Sequence, residues 1–281
     1  MKYKCQICDF DDYDYIHESD EFYDDVFDYV ICKRCSFVSQ TNCEDKGKYL
    51  SLPYQTQDNY EEHSKNRAEY IYDFCRSHLH YDMDVFDIGC SRGGVIKYME
   101  QILSDSRVSG CTVLVENEKF ISDNLDVINK DFDDITFNKK YDFIIMSHTL
   151  EHFIDLRKTL NNVKNIMKDS SKLYIEVPYL DYLKVRLSFE YCPEHISYFT
   201  PNSLQNLLLS SGFKILQIKS SKYWGNIKVL LEKNNLTNIQ KNPYIIRNKN
   251  YIFYKTEKKL RSFTHWFYRL GFKFFKIKSN D

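Results

Sequence analysis

Asp84-Val85-Phe86-Asp87-Ile88-Gly89-Cys90-Ser91-Arg92-Gly93-Gly94 passes from a short apolar strand, Asp84–Ile88, through a glycine-containing turn into a helix predicted over Val95–Leu103. In an open α/β sheet, ligands sit beyond the carboxyl ends of the strands, and this turn falls at such an end. Gly89 lets the backbone turn tightly, and Gly93 lets a ligand come close to the helix start. The turn is not a P-loop, because no Gly-Lys-Ser/Thr follows. Its spacing is G-x-x-x-G-G, with Ser91 where a dinucleotide fingerprint has its middle glycine.

Strand and helix patterns alternate on the C-terminal side of this turn. Val108–Val115 is strand-like, Val127–Ile128 is a short candidate, and Tyr141–Met146 is an apolar run of the kind that a doubly covered strand shows. An amphipathic helix is predicted over Leu156–Met167 and a strand over Leu173–Val177. A helix at Ser203–Leu209 is stopped by Gly212, and strands at Phe213–Ile218 and Ile227–Leu231 suggest an antiparallel hairpin at one sheet edge. The class is α/β, with a mostly parallel sheet covered on both faces. On the N-terminal side, Tyr60, Ser64, Arg67, Ala68, Ile71, Phe74 and Cys75 share one face of a predicted helix. The expected organisation is a cysteine module over 1–42, a helical connector over 43–80, the α/β domain over 81–235 and a tail over 236–281.

Charge is uneven although the net charge is only −1. Asp9–Asp28 holds ten acidic residues and no Lys or Arg, and reads as a solvated hairpin. From Lys241 onward there are eleven Lys or Arg against two acids. In that tail Leu260, Phe263, Phe267, Leu270 and Phe274 recur among Lys255, Lys258, Lys259, Arg261, Arg269 and Lys273. Such a helix docks on the protein's own body or meets an anionic membrane surface.

No stretch approaches the ~18 apolar residues of a membrane span, and the first ten residues do not read as a signal peptide. The nine cysteines include two C-x-x-C pairs, Cys5/Cys8 and Cys32/Cys35. That pattern points to a cytoplasmic protein with reduced thiols and a structural Zn2+ bound by four thiolates. Neither pair is followed by the glycine common in such knuckles; Asp9 and Ser36 stand there instead. RNA grip needs positive charge, so an acidic module argues against nucleic acid as the partner.

Three further positions complete the reading of the glycine turn. Glu116 ends the second strand, where a carboxylate accepts both ribose hydroxyls of an adenosine cofactor, with Glu118 as a competing choice. Asp131–Phe132 offers a polar contact and an apolar face for an adenine ring. Ser147-His148-Thr149-Leu150-Glu151-His152 follows the fourth strand. Together, D-I-G-C-S-R-G, Y-D-F-I-I-M-S-H-T-L-E-H and K-L-Y-I-E-V-P resemble the class I S-adenosylmethionine-dependent methyltransferases. The resemblance implies a Rossmann-like seven-stranded sheet. It also implies cofactor contacts at Gly89, Cys90, Gly93, Glu116, Phe132 and Ser147; Asp87, Asp131 and His148 stand beside these as further expected cofactor residues.

The phrase E-H-I-S-Y-F-T-P-N-S-L over 194–204 resembles sugar methyltransferases, including C-methyltransferases of keto-deoxysugar nucleotides that carry an N-terminal zinc module. That likeness implies proton handling by Glu194 and His195, with Tyr191 and Tyr198 lining the site. His195 is the best general base because its unperturbed pKa is near neutral, and His152 and His148 are weaker candidates. The expected acceptor is a nucleotide-sugar or a capsule or O-antigen precursor, methylated on oxygen or carbon. The rivals are an RNA or protein methyltransferase that docks through its zinc module, and a non-catalytic scaffold. No Asn/Asp-Pro-Pro-aromatic turn follows the fourth strand, which argues against methylation of a base amine.

Overall fold

The structure, a computed structural model, describes residues 3–20, 25–41, 59–113, 124–180, 195–221 and 225–234. The acidic run forms the expected hairpin, β1 (Tyr13–Asp20) against β2 (Asp25–Cys32), and β2 pairs on its other side with β3 (Val38–Gln40). Helix α1 (Tyr60–Cys75) buries Ser64, Ala68, Ile71 and Cys75 and leaves Arg67 exposed, outside the face the spacing assigned it to.

The strand–helix series then runs β4 (Asp84–Ile88), α2 (Gly94–Ile102), β5 (Arg107–Thr112), β6 (Asp126–Asn129), β7 (Tyr141–Ser147), α3 (Leu156–Ile166) and β8 (Met167–Pro178). It closes with β9 (Ser197–Tyr198), α4 (Pro201–Ser210), β10 (Phe213–Ser221) and β11 (Asn226–Lys233).

Seven of these strands make one sheet in the order β10-β11-β8-β7-β4-β5-β6, in which β11 runs antiparallel to both neighbours. Successive residues of a strand face opposite sides, and this splits the core in two. Phe86, Ile144, Met146, Ile175 and Val229 face α3 and α4 with Leu160, Val163, Leu204 and Leu207. Val85, Phe143, Ile145, Tyr174 and Leu230 face α1 and α2 with Ala68, Ile71, Ile96 and Met99. Continuous apolar runs such as Phe143–Met146 are therefore needed to fill both layers. β5 ends at Thr112, earlier than the expected Val115, and Val113 is exposed.

The cysteine segment is built into this body. β3 pairs with β9, which lies between β8 and α4 in the chain, so residues 197–198 complete a four-stranded sheet β1-β2-β3-β9. Phe37 packs on Phe199, with ring centroids 5.6 Å apart. The first cysteine knuckle sits on the start of α3: Leu156 N donates to Gln6 Oε1 at 3.1 Å, and Arg157 donates to the carbonyls of Gln6 (2.7 Å) and Ile7 (2.8 Å).

No helix among the described residues is long and apolar enough to cross a membrane. The basic aromatic tail, with the membrane contact expected of it, lies outside the described residues.

Arg157→Ala removes both charged donors from the knuckle backbone. Hydrogen bonds from charged groups contribute about 1.5–3 kcal/mol each, so the unfolding free energy is expected to fall by roughly 2 kcal/mol in a urea titration. An unchanged midpoint would show that the knuckle is held by other contacts.

Candidate active site

The end of β4 and the end of β7 meet where the strand order reverses, and the glycine turn lies in that crevice. Gly89 has φ +80°, and a Cβ there would collide with the Thr149 side chain from the loop after β7. Gly93 has φ +85° and caps the N-terminus of α2. Gly89 N and Cys90 N both donate to the Cys111 carbonyl, at 2.8 and 3.0 Å. Ser91 takes φ +50°, so the backbone adopts the left-handed geometry of the absent glycine without one. The free amides at the start of α2 provide positive ends toward the crevice. Asp87 lies beneath the turn, and burial pushes its carboxyl up to about 7, against a pull downward from Arg67. A Cβ on Gly93 would likewise collide with Leu125, so the side-chain space at both glycines is filled by the protein and not by a ligand; what the turn offers S-adenosylmethionine is its backbone.

The other expected cofactor residues divide. Cys90 buries its thiol in the core on the α1/α2 side, leaving only its backbone to the turn. Asp131 accepts from Asp133 N at 3.0 Å and caps a single helical turn, Phe132–Asp134. The Phe132 ring is not an open face for adenine. It is buried against Phe137 and Phe153, because the turn after Asp131 directs it into the core on the α3 side. Glu116 lies outside the described residues.

Ser147 donates to Glu176 Oε2 at 3.2 Å, and Glu176 also accepts from Tyr174 (2.9 Å) and Asn226 (2.7 Å). Burial raises the Glu176 pKa, but His148, Lys228 at 3.6 Å and Tyr174 outweigh it and hold the carboxylate at about 2. His148, with φ +53°, stands between two carboxylates, with Nε2 3.7 Å from Glu176 and Nδ1 3.6 Å from Glu151. Burial lowers the His148 pKa, yet the flanking carboxylates carry it to about 9. It is a charged bridge in the wall of the site, which excludes it as a proton acceptor at neutral pH. Glu176 was legible only as a glutamate in the middle of an apolar strand.

Glu151 is fully buried, and neither of its oxygens receives a hydrogen bond. It sits in a helical turn, Leu150–His152, whose Glu151 carbonyl accepts from Ile196 N at 2.9 Å. That bond brings His195 Nε2 to 3.9 Å from Glu151 Oε1, and the His195 and His152 rings meet edge-on with centroids 4.9 Å apart. Burial pushes His195 down to about 4, with Glu151 opposing it. The near-neutral pKa that singled it out as a base therefore does not hold in this setting, and its claim to that role rests on its position beside Glu151. Tyr198 lies 5.9 Å from the His195 ring and packs on Tyr29 at 5.7 Å. Glu194 lies outside the described residues, and the carboxylate found beside His195 is Glu151. The cap of α4 is Thr200, in a capping box with Ser203, so capping does not account for His195.

Cys5, Cys8, Cys32 and Cys35 form one cluster with their sulfurs within 4.8 Å of one another. The Cys5–Cys35 and Cys8–Cys32 sulfur separations are 3.5 and 3.6 Å. Four sulfurs at ~2.3 Å from a tetrahedral zinc would stand ~3.8 Å apart, so the donor set and its size fit that ion. The two knuckles repeat one pattern. Asp9 N and Ser36 N each donate to the first cysteine's carbonyl at 2.9 Å, and both residues are left-handed, at φ +57° and +59°.

The family model for the methyltransferase domain matches residues 60–218. The chain belongs to that family. It is 28% identical over 163 residues to N-methyltransferase 4 of Papaver somniferum, covering 53% of this chain and 46% of that protein. It is 23% identical over 148 residues to the malonyl-[acyl-carrier protein] O-methyltransferase of Acetivibrio thermocellus, covering 50% of this chain and 52% of that one. The chain thus spans about half the length of these curated relatives. The plantazolicin methyltransferase BpumL, solved in complex with SAH, matches with a TM-score of 0.51 at 16% identity, over 69% of this chain and 92% of that one. That likeness concerns the fold.

Gly89→Ala forces a Cβ into Thr149 at a left-handed φ. S-adenosylhomocysteine affinity by calorimetry is expected to fall at least tenfold, about 1.4 kcal/mol, with the circular dichroism spectrum retained. Unchanged affinity would show that the turn does not cradle the cofactor.

Proposed function

We propose that this protein is an S-adenosylmethionine-dependent methyltransferase acting on a small-molecule acceptor. The observation that carries the reading is the glycine turn after β4 facing the Ser147–His152 loop across the strand-order reversal, with His195 on the same edge. Gly89, Gly93, the first amides of α2 and Asp131 would hold the cofactor, with Glu116 on its ribose. The bound cofactor supplies an electrophilic methyl group, and the task of the chain is to align the acceptor with it.

A hydroxyl or carbon acid must also lose a proton. His195 takes this role, with its Nε2–H toward Glu151 and Nδ1 toward the acceptor. Glu151 then stabilises the imidazolium as it forms. Tyr198 shapes the wall beside it, His152 supports the His195 ring, and Glu194 completes the acceptor side. The finer reading is a nucleotide-linked sugar or surface-polysaccharide precursor, methylated on oxygen or carbon, and the likeness of residues 194–204 supports it.

N-methylation is the second reading, favoured by relatives that include the (S)-tetrahydroprotoberberine N-methyltransferase of Eschscholzia californica. The two readings differ in their need for a base. With a hydroxyl acceptor, His195→Ala is expected to lower kcat by about 10²–10⁴. With an amine that is already unprotonated, it should lower kcat less than about tenfold. Assays of labelled methyl transfer to nucleotide-sugars, amines and bulk RNA read this out. Transfer to RNA alone would overturn the small-molecule reading, and failure to bind S-adenosylhomocysteine would overturn methyl transfer itself.

Structural zinc on Cys5, Cys8, Cys32 and Cys35 completes the reading, supported by the sulfur separations. Cys32→Ser with Cys35→Ser is expected to release the cysteine-bound ion in elemental analysis and to lower the Tm by several degrees. An undiminished number of zinc ions per chain in that double variant would refute the assignment.

A further inference from the structure

We propose that Glu151, His152 and His195 form a second metal site, for a divalent transition cation held by two imidazoles and one carboxylate. One ligand atom from each residue lies within 4.8 Å of the others. Glu151 gives the independent sign of a ligand. It is fully buried, yet neither carboxylate oxygen has a hydrogen-bond donor. His148 Nδ1 at 3.6 Å and His195 Nε2 at 3.9 Å pair with it electrostatically from beyond hydrogen-bond distance. These separations are close to the spacing of neighbouring ligands, since bonds of ~2.0–2.2 Å put adjacent donor atoms ~3.0–3.5 Å apart.

The backbone brings the ligands together before any ion arrives. Glu151 and His152 share one helical turn, and the Ile196 N bond to the Glu151 carbonyl sets His195 beside them. His152 and His195 are partly exposed, so an ion enters from the crevice, and three protein ligands leave coordination positions open on that side. His148 bridges the two carboxylates, with Nδ1 toward Glu151 and Nε2 toward Glu176, and so is not counted among the ligands. Two nitrogens and one oxygen suit Zn2+, Mn2+, Fe2+, Co2+ or Ni2+ rather than Mg2+ or Ca2+, which prefer all-oxygen shells.

The site is distinct from the thiolate cluster in position and ligand chemistry. It goes beyond the methyl-transfer reading, because an ion and an acceptor-derived proton compete for His195. Metal occupancy and base action by His195 are therefore exclusive states. The test accordingly reads binding and not turnover.

The full-length chain, produced in zinc-depleted, cobalt-supplemented medium so that Co2+ fills the thiolate site in place of Zn2+, is dialysed and read by elemental analysis and absorption. Two cobalt ions per chain are expected. One gives the thiolate-to-cobalt charge-transfer band of the cysteine cluster, and the other gives only weaker visible bands. Glu151→Gln and His152→Ala should each lose one ion and keep the charge-transfer band, which also reports an intact fold. His152→Asp, which keeps a ligating atom, should retain both. One cobalt per chain in the unsubstituted protein, or two retained in both Glu151→Gln and His152→Ala, overturns the proposal. Loss of the second ion in His152→Asp with the charge-transfer band intact also overturns it.

Discussion

Glu151 and Glu176 place two carboxylates at the carboxyl edge of the central strands, both shielded from water, with His148 between them. A buried carboxylate is costly unless a positive charge or several donors compensate it. Glu176 gathers Ser147, Tyr174, Asn226 and His148, which come from three strands and the loop that follows β7. The ends of β7, β8 and β11 are thereby locked in register where a substrate crevice needs a rigid wall. Removing any one partner leaves charge unanswered, so this edge cannot drift as a surface loop does. Glu151 is the less satisfied of the two, and the chemistry inferred for the crevice gathers around it.

Three segments distant in sequence converge on Glu151. The turn Leu150–His152 carries it, the strand Ser197–Tyr198 follows the histidine that faces it, and β3 of the cysteine module pairs with that strand. The module therefore does more than decorate the sheet domain. Its third strand sets the path of the residues that bring His195 and Tyr198 to the crevice.

The sheet domain was legible because its strands must fill two apolar layers, which writes them as runs such as Tyr-Asp-Phe-Ile-Ile-Met, and because its helices carry an amphipathic period. The edge hairpin β10–β11 and the glycine turn were readable for the same local reasons. Less legible was everything that depends on a side chain's surroundings. Nothing in the pattern separates Glu176 from a surface acid, since a period of two does not reveal that five partners await it. Phe132 looked available to a ring ligand because the turn that buries it is a tertiary matter. The left-handed residues Asp9, Ser36 and Ser91 were equally hidden. The chain has only eight glycines, and here short polar residues stand in the left-handed conformation that glycine adopts most readily. The pairing of β3 with β9 is two residues long and leaves no periodic trace.

The contact between Gln6 and Leu156 joins residues 150 positions apart. Loop closure over such a distance is entropically costly and is deferred until nearer contacts have formed. The cysteine knuckles leave the ribosome well before their seat on α3 and their fourth strand, which emerge only after most of the sheet domain has been made. The order of synthesis and the order of assembly thus run in opposite directions at this end of the molecule. Until the late strand arrives, one edge of β3 stands unpaired, and the early segment has only its own three-stranded ladder and the thiol cluster to hold it together.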